Sequence, residues 1–438
     1  MSVSDGWWGV GHDVMVAERS PVRGYGGAVL SVVVRRAGVD VVAVLLLIAL
    51  AFHVVDASVY QSSIFVELAR YGSLVLLVPV VAVSGGLVAR ARMAWWPWLL
   101  VAALVLLALL STVWSVDPDR SLRQALLFAA VLAVVAVLGI GRWPARDRLV
   151  TDLRVVLTVF GIAAALGLAA WAAGAGWASS ATNSRVSGIY VHPNGAGMVA
   201  ALILPVGVAL VPRIPSLPGR SLHLGCLATL AASLVLSGSR TSVVAVAVGV
   251  LVVVVMRGWL RNWRVFVPVG LCVAIVVLVA VSGQLGRMWD RPGTLTLSGR
   301  EGAWATLVDA WEDAPVVGHG YRSAEMILEE RRGDPHHYSI GTAHNGYLQV
   351  LAELGAAGAL LVVGVAAATA RAGWRSRGDP VGVGLAGSVA AGFTVQFGES
   401  SLFGFGNEFA LPFWLVVGAL LSMSSGPAVD RAPRASQL

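Results

Sequence analysis

The chain has 438 residues, 57% of them hydrophobic and only 13% charged, with a formal net charge of +7 and a mean hydropathy of +0.79. Soluble domains are about a quarter charged, so an ordinary soluble enzyme is excluded, and the apolar runs rather than the length set the organisation. The positive balance does not point to nucleic acid, because the basic residues, all arginine, are spread between apolar runs instead of forming one patch.

Residues 1–37 are polar and carry Arg19, Arg23, Arg35 and Arg36 without a short apolar core or small-residue cleavage site, and read as an uncleaved cytoplasmic tail. Apolar segments then follow one another, each close to the ~20 residues that cross a bilayer as a helix. Their spacing predicts helices at 38–55, 72–89, 95–114, 124–140, 153–174, 196–211, 221–236, 242–256, 264–281, 346–370, 381–398 and 409–424. Runs such as Val243–Val255 lack the period-two alternation of a strand barrel. The expectation is an all-α polytopic membrane protein with about 12 transmembrane helices.

Arginine placement orients it. Arg90 and Arg92, Arg142, Arg146 and Arg148, Arg213 and Arg220, Arg257, Arg261 and Arg264, and Arg371, Arg375 and Arg377 fall on the side of the N-terminal tail, whereas Asp56, Glu67, Asp117 and Asp119 fall on the other. Both termini are therefore expected in the cytoplasm and the chain in the cytoplasmic (inner) membrane. The expected organisation is a tail at 1–37, helices one to nine over 38–281, a large outer loop over 282–345, helices ten to twelve over 346–424 and a cytoplasmic tail at 425–438. Cys226 and Cys272 lie inside apolar runs and read as packing residues, not as a disulfide framework or thiolate site.

The loop at 282–345, periplasmic or extracellular, is not a disordered linker. Ser298-Gly299-Arg300-Glu301 fits a capping box, and Ala303, Trp304, Leu307, Val308 and Trp311 then line one helical face suited to the membrane interface. Pro315 and Gly318 end that helix, and Tyr321–Arg332 reads as a second.

Four outer-side arginines, Arg120, Arg185, Arg240 and Arg300, stand at or beside expected helix ends. A single arginine in such a place ordinarily snorkels to the headgroups. Arg240 is harder to assign so, because Ser237-Gly238-Ser239-Arg240-Thr241 leaves it in a very short turn at the membrane edge. Guanidinium groups bind phosphate oxygens bidentately and stay charged, so several converging here suit a diphosphate. His344, in Thr342-Ala343-His344-Asn345-Gly346-Tyr347, stands where the long loop re-enters the membrane. It serves there either as a proton acceptor near neutral pH or as a helix cap. His192-Pro193-Asn194-Gly195 reads as a structural turn, and His336-His337 lacks further ligands at useful spacing, so no metal is expected.

The ordered set of segments resembles the O-antigen ligase and O-antigen polymerase (Wzy-like) family of bacterial membrane glycosyltransferases. It runs Trp114-Ser115-Val116-Asp117-Pro118, Arg185-Val186-Ser187-Gly188…His192-Pro193-Asn194, Ser237-Gly238-Ser239-Arg240 and Ser298-Gly299-Arg300…Trp304. It continues with Pro315…Gly318-His319-Gly320, His344-Asn345-Gly346-Tyr347-Leu348 and Glu353-Leu354-Gly355, covering about residues 110–370. The resemblance implies a GT-C-like helical bundle with a large periplasmic loop. It also implies transfer of a glycan from a polyprenyl-diphosphate carrier to a sugar hydroxyl of a glycan or glycolipid acceptor, without cofactor or required metal. On it, Arg185 and Arg240 would hold the diphosphate, Arg300 would contact the donor or orient the loop, and His344 would be the base. It further implies partners in a polysaccharide assembly system. Ligase and polymerase stay open, and a secondary transporter or flippase for a cell-envelope precursor is the alternative from another class.

Overall fold

The computed structural model describes residues 40–58, 72–81, 95–180, 185–214, 216–257, 300–330, 342–403 and 408–423. Among these residues the backbone is helical, with a single antiparallel bridge between Ser179 and Val186 and no longer strand. Helices α1 (Val41–Ser58), α2 (Gly72–Val81), α3 (Trp96–Leu110), α4 (Pro118–Gly141), α5 (Arg146–Ala172), α6 (Pro193–Leu210), α7 (Leu217–Leu236) and α8 (Arg240–Met256) come first. After them come α9 (Glu301–Asp313), α10 (Ala324–Glu330), α11 (Gly346–Arg375), α12 (Pro380–Val395) and α13 (Ala410–Met423). Six segments, Trp96–Val113, Pro118–Gly141, Arg146–Ala172, Pro193–Arg213, Leu217–Leu236 and Gly346–Arg375, are long and apolar enough to cross a membrane; α1, α2, α8, α12 and α13 are shorter apolar helices. The expected helix at 264–281 lies outside the described residues, as do Ser298 and Gly299 of the expected capping box.

Several starts are written in local chemistry. Asp117, Ser216, Asp379 and Asn345 each accept a backbone N–H of the following turn, and Pro118, Pro193 and Pro380 take the first helical position, where no N–H is needed. The ends alternate: α4, α6, α8 and α11 begin at one end of the bundle, and α5, α7 and α12 begin at the other. The second end holds a buried Arg142–Asp152 pair with both bonds at 2.7 Å, and Asp379 at 3.5 Å from Arg146 and 3.6 Å from Arg213.

The first end is organised by α6, α8 and α12, which approach closely because small residues face one another. A Cβ on Gly249 of α8 would fall 2.6 Å from the Gly387 carbonyl oxygen of α12, and one on Gly387 would fall 2.7 Å from that of Gly249. With lipid tails as apolar as leucine, such packing is what holds membrane helices together. Pro205 lies inside α6 and supplies no N–H, and the next amide, of Val206, donates to Ser388 Oγ of α12 at 3.1 Å.

One element departs from the expected form. The expected helix at 346–370 runs on to Arg375, yet its backbone breaks at Gly355 (φ 62°, ψ −163°). The segment after α9 fills the break. The amides of Ala356 and Ala357 donate to the carbonyls of Pro315 and Val316 at 2.8 and 3.0 Å. The carbonyls of Ala352 and Glu353 in turn accept from His319 and Gly320, both at 2.9 Å. A Cβ at Gly355 would lie 2.3 Å from the Val316 carbonyl, so only glycine fits the crossing. The non-helical backbone persists because neighbouring protein satisfies its polar groups.

The same segment docks on the Trp114–Pro118 turn: Val116 N–H donates to His319 O at 3.2 Å, and Tyr321 N–H to Ser111 Oγ at 2.9 Å. The buried Tyr321 ring stacks with Phe128, and its hydroxyl donates to Phe403 O at 3.1 Å. Protein covers part of the apolar face of α9, at Ala303 and Leu307, while Trp304, Val308 and Trp311 are half-buried. Ala303 and Leu307 pack with Ala352 of α11 and Ala324 of α10, and Trp304 Nε1 donates to Ala343 O at 2.9 Å. The second loop helix begins at Ala324 rather than Tyr321 and is described as far as Glu330; Arg331 and Arg332 lie outside the described residues.

Candidate functional site

At the first end, residues from four separate stretches meet on one loop, Gln396–Phe403, that follows α12. Buried Gln396 stitches this loop: its amide donates to Gly392 O and Ser401 Oγ, and its oxygen accepts from Ser401 N–H. The N-terminus of α11 is fastened to it, because Gly346 N–H donates to both Gln396 O (2.8 Å) and Glu399 O (3.0 Å). A Cβ at Gly346 would fall 2.5 Å from Gln396 Oε1, which accounts for glycine there. Asn345 caps α11 and its own N–H donates to Ser400 Oγ at 3.0 Å.

His344 is thereby fixed one residue before the cap, in the left-handed region at φ 46°. A non-glycine residue held there costs about 1–3 kcal/mol and marks functional sites. Its Nδ1 lies 3.0 Å from Glu399 Oε2. Glu399 is almost wholly buried, 7% exposed, and burial alone would push its carboxyl up. The hydrogen bond from His344 and the positive charge of Arg300 outweigh burial and hold it below the usual carboxylate range. An ionised carboxylate only accepts, so Nδ1 donates and the imidazole presents Nε2 as its basic nitrogen.

The other carboxylate oxygen gathers the cations. Asn194 Nδ2 donates to Glu399 Oε1, and Arg185 donates from Nη2 to Asn194 Oδ1 and from Nε to Ser237 O at 2.6 Å. Arg300 approaches the same Oε1 at 3.4 Å and donates to Gly398 O. Arg240 opens α8 three residues beyond Ser237 and is exposed. Its neighbour Thr241 packs against Gly398, where a Cβ would meet Thr241 Oγ1 at 2.4 Å. The structure thus brings Arg185, Arg300 and His344 together around Glu399, with Arg240 on the adjoining turn. A second acid, Glu408, lies against the start of α6, its carboxylate filling the space beside Gly195. Burial pushes it up to about 7, and nearby Glu399 adds to the shift.

His192 caps α6, its Nδ1 accepting Asn194 N–H at 3.1 Å, and His319 holds Ala310 O at 2.7 Å through Nε2, so both do structural work. His336 and His337 lie outside the described residues. Arg120 is paired with Glu325 of α10. Sequence reasoning missed Glu399 and gave Asn194 no role of its own. A signal was present: between Asp379 and Asp430 the only charged residues are Glu399 and Glu408.

Fold and site define a multi-pass helical membrane protein whose polar centre, rich in arginine, sits where apolar helices end. The family model described as O-antigen ligase matches residues 225–363, and it supports an O-antigen ligase/polymerase-like membrane glycosyltransferase, in agreement with the resemblance read from the sequence. The matched stretch contains Arg240, Arg300 and His344, while Arg185 and Glu399 lie outside it. No curated protein matches the chain.

Proposed function

We propose that the protein transfers a glycan from a polyprenyl-diphosphate carrier to a sugar hydroxyl on the outer face of the cytoplasmic membrane, from a bundle of about twelve crossings with both termini in the cytoplasm. The observation that supports it best is the convergence of Arg185, Arg300 and His344 on buried Glu399, with Arg240 beside them. Guanidinium groups gathered at one end of the bundle suit a diphosphate at a lipid–water boundary.

On this reading the acceptor hydroxyl gives its proton to His344 Nε2 while its oxygen attacks the anomeric carbon. The bond from that carbon to the diphosphate breaks, and its electron pair leaves with the phosphate oxygen. Fixed guanidinium groups stabilise the charge that builds there, a role a divalent ion fills in other enzymes. A single displacement inverts the anomeric centre. Glu399 does not touch substrate; it positions the imidazole and selects its tautomer. Holding donor and acceptor together supplies much of the remaining acceleration.

The test is His344→Ala. Turnover is expected to fall about 10²–10⁴-fold, the usual worth of a positioned base, while binding of the lipid-linked donor survives. His319→Ala serves as control and is expected to lose less. Transfer by His344→Ala at the parent rate with saturating acceptor removes it as the base.

A further inference from the structure

Beside the polar centre stands an aromatic pair that the chemistry above does not use. Phe397 is 64% exposed, although it occupies the loop whose flanking residues are the most tightly held in the site. Gln396 O and Glu399 O both accept Gly346 N–H, and Gly398 O accepts from Arg300. Its ring lies 4.7 Å from that of Tyr347, centroid to centroid, at 53°. Tyr347 is three residues beyond His344, and its ring is pinned by a 2.7 Å bond from its hydroxyl to Phe393 O. Phe397 is therefore an exposed apolar surface on a rigid backbone, two residues from Glu399 and against the first turn of α11.

We infer that Phe397, backed by Tyr347, is a platform on which a sugar ring of the substrate stacks while its reacting group reaches His344. The proposal rests on the glycosyl-transfer reading and adds a subsite to it. The C–H groups on one face of a sugar ring carry partial positive charge, and the face of an aromatic ring is negative. A rigid aromatic surface next to a few fixed polar groups is the usual composition of a small-ligand site. The alternative occupant is lipid, since aromatic residues also gather at membrane interfaces, and the experiment separates the two.

Phe397→Leu keeps an apolar side chain of similar volume for lipid but removes the aromatic face; Phe397→Trp keeps and enlarges that face. Each variant is reconstituted in liposomes beside the parent. Donor is the lipid-linked glycan extracted from the producing cells, and acceptor is the same glycan released from its carrier. Stacking predicts a KM about two- to tenfold higher in Phe397→Leu, restored in Phe397→Trp. A rise for the acceptor places the acceptor sugar on the platform, and a rise for the donor places the donor sugar there. Unchanged KM values for both substrates in Phe397→Leu overturn the proposal, and so does a rise that Phe397→Trp fails to restore. Failure of the parent to transfer at all refutes instead the reading on which the proposal rests.

Discussion

Replacing Glu399 by Gln keeps the size and hydrogen-bonding reach of the side chain and removes its charge. Four groups feel the change directly or through one partner: His344 at 3.0 Å, Arg300 at 3.4 Å, Asn194, and Arg185 through Asn194. Arg300 keeps its bond to Gly398 O, so the fold loses less than the ~3–5 kcal/mol of a fully orphaned buried charge. About 1–3 kcal/mol is expected, the range for leaving one buried partner unsatisfied. Activity is expected to fall further, because a neutral amide no longer enforces the tautomer with Nε2 basic. A positioning residue contributes no more than the base it positions, so the loss in Glu399→Gln is bounded by the ~10²–10⁴-fold of general-base catalysis. In the double variant Glu399→Gln/His344→Ala, turnover is expected to match His344→Ala alone, as for residues that act as one unit. Turnover is measured in proteoliposomes, with thermal unfolding as the control for folding. Multiplicative losses in the double variant refute the claim that Glu399 acts through His344.

Arg185→Lys and Arg240→Lys keep charge but lose the planar fork, and in Arg185 also the paired grip on Ser237 O and Asn194. Activity is expected to drop about tenfold or more at unchanged protein level; parent activity in both removes them from the donor site. Transfer in excess chelator is expected at near the normal rate, whereas a collapse reversed by added magnesium or manganese contradicts an arginine-only donor site. Glu408 gives a pH signature in stability. Its folded value of about 7 stands above the ordinary 4.5, so its contribution is fully present below that ordinary value and is lost as pH rises through about 7. The thermal midpoint of the detergent-solubilised parent should decline across that window, and Glu408→Gln should flatten the decline; identical profiles contradict the assignment.

The membrane helices were legible because a charge-free run long enough to span is nearly unambiguous, and most described helices lie within a few residues of where the runs predicted them. The motifs around the site were legible too, and the structure gives them physical reasons. Gly355 and Gly318-His319-Gly320 are the two sides of one broken-helix crossing, and His344-Asn345-Gly346 combines a fixed imidazole, a cap and a close contact. The break itself was not legible, since the expected helix at 346–370 reads as one run across Gly355. The partner of the α9 apolar face was not legible either: a face shows that something is covered, not whether lipid or α11 covers it. Glu399 escaped for a related reason. It stands 55 positions from His344, and the two meet where the start of α11 is fastened to the loop after α12.

Movement of a glycan off a polyprenyl diphosphate is open to direct measurement. The most direct measurement places the purified protein in liposomes carrying the lipid-linked glycan, adds acceptor glycan, and follows both free polyprenyl diphosphate and acceptor-linked product. The two are expected to appear in equal amounts in the parent and both to be lost in His344→Ala. Lipid-linked glycan that crosses the bilayer intact, with no carrier released, would contradict glycan transfer and make the protein a transporter.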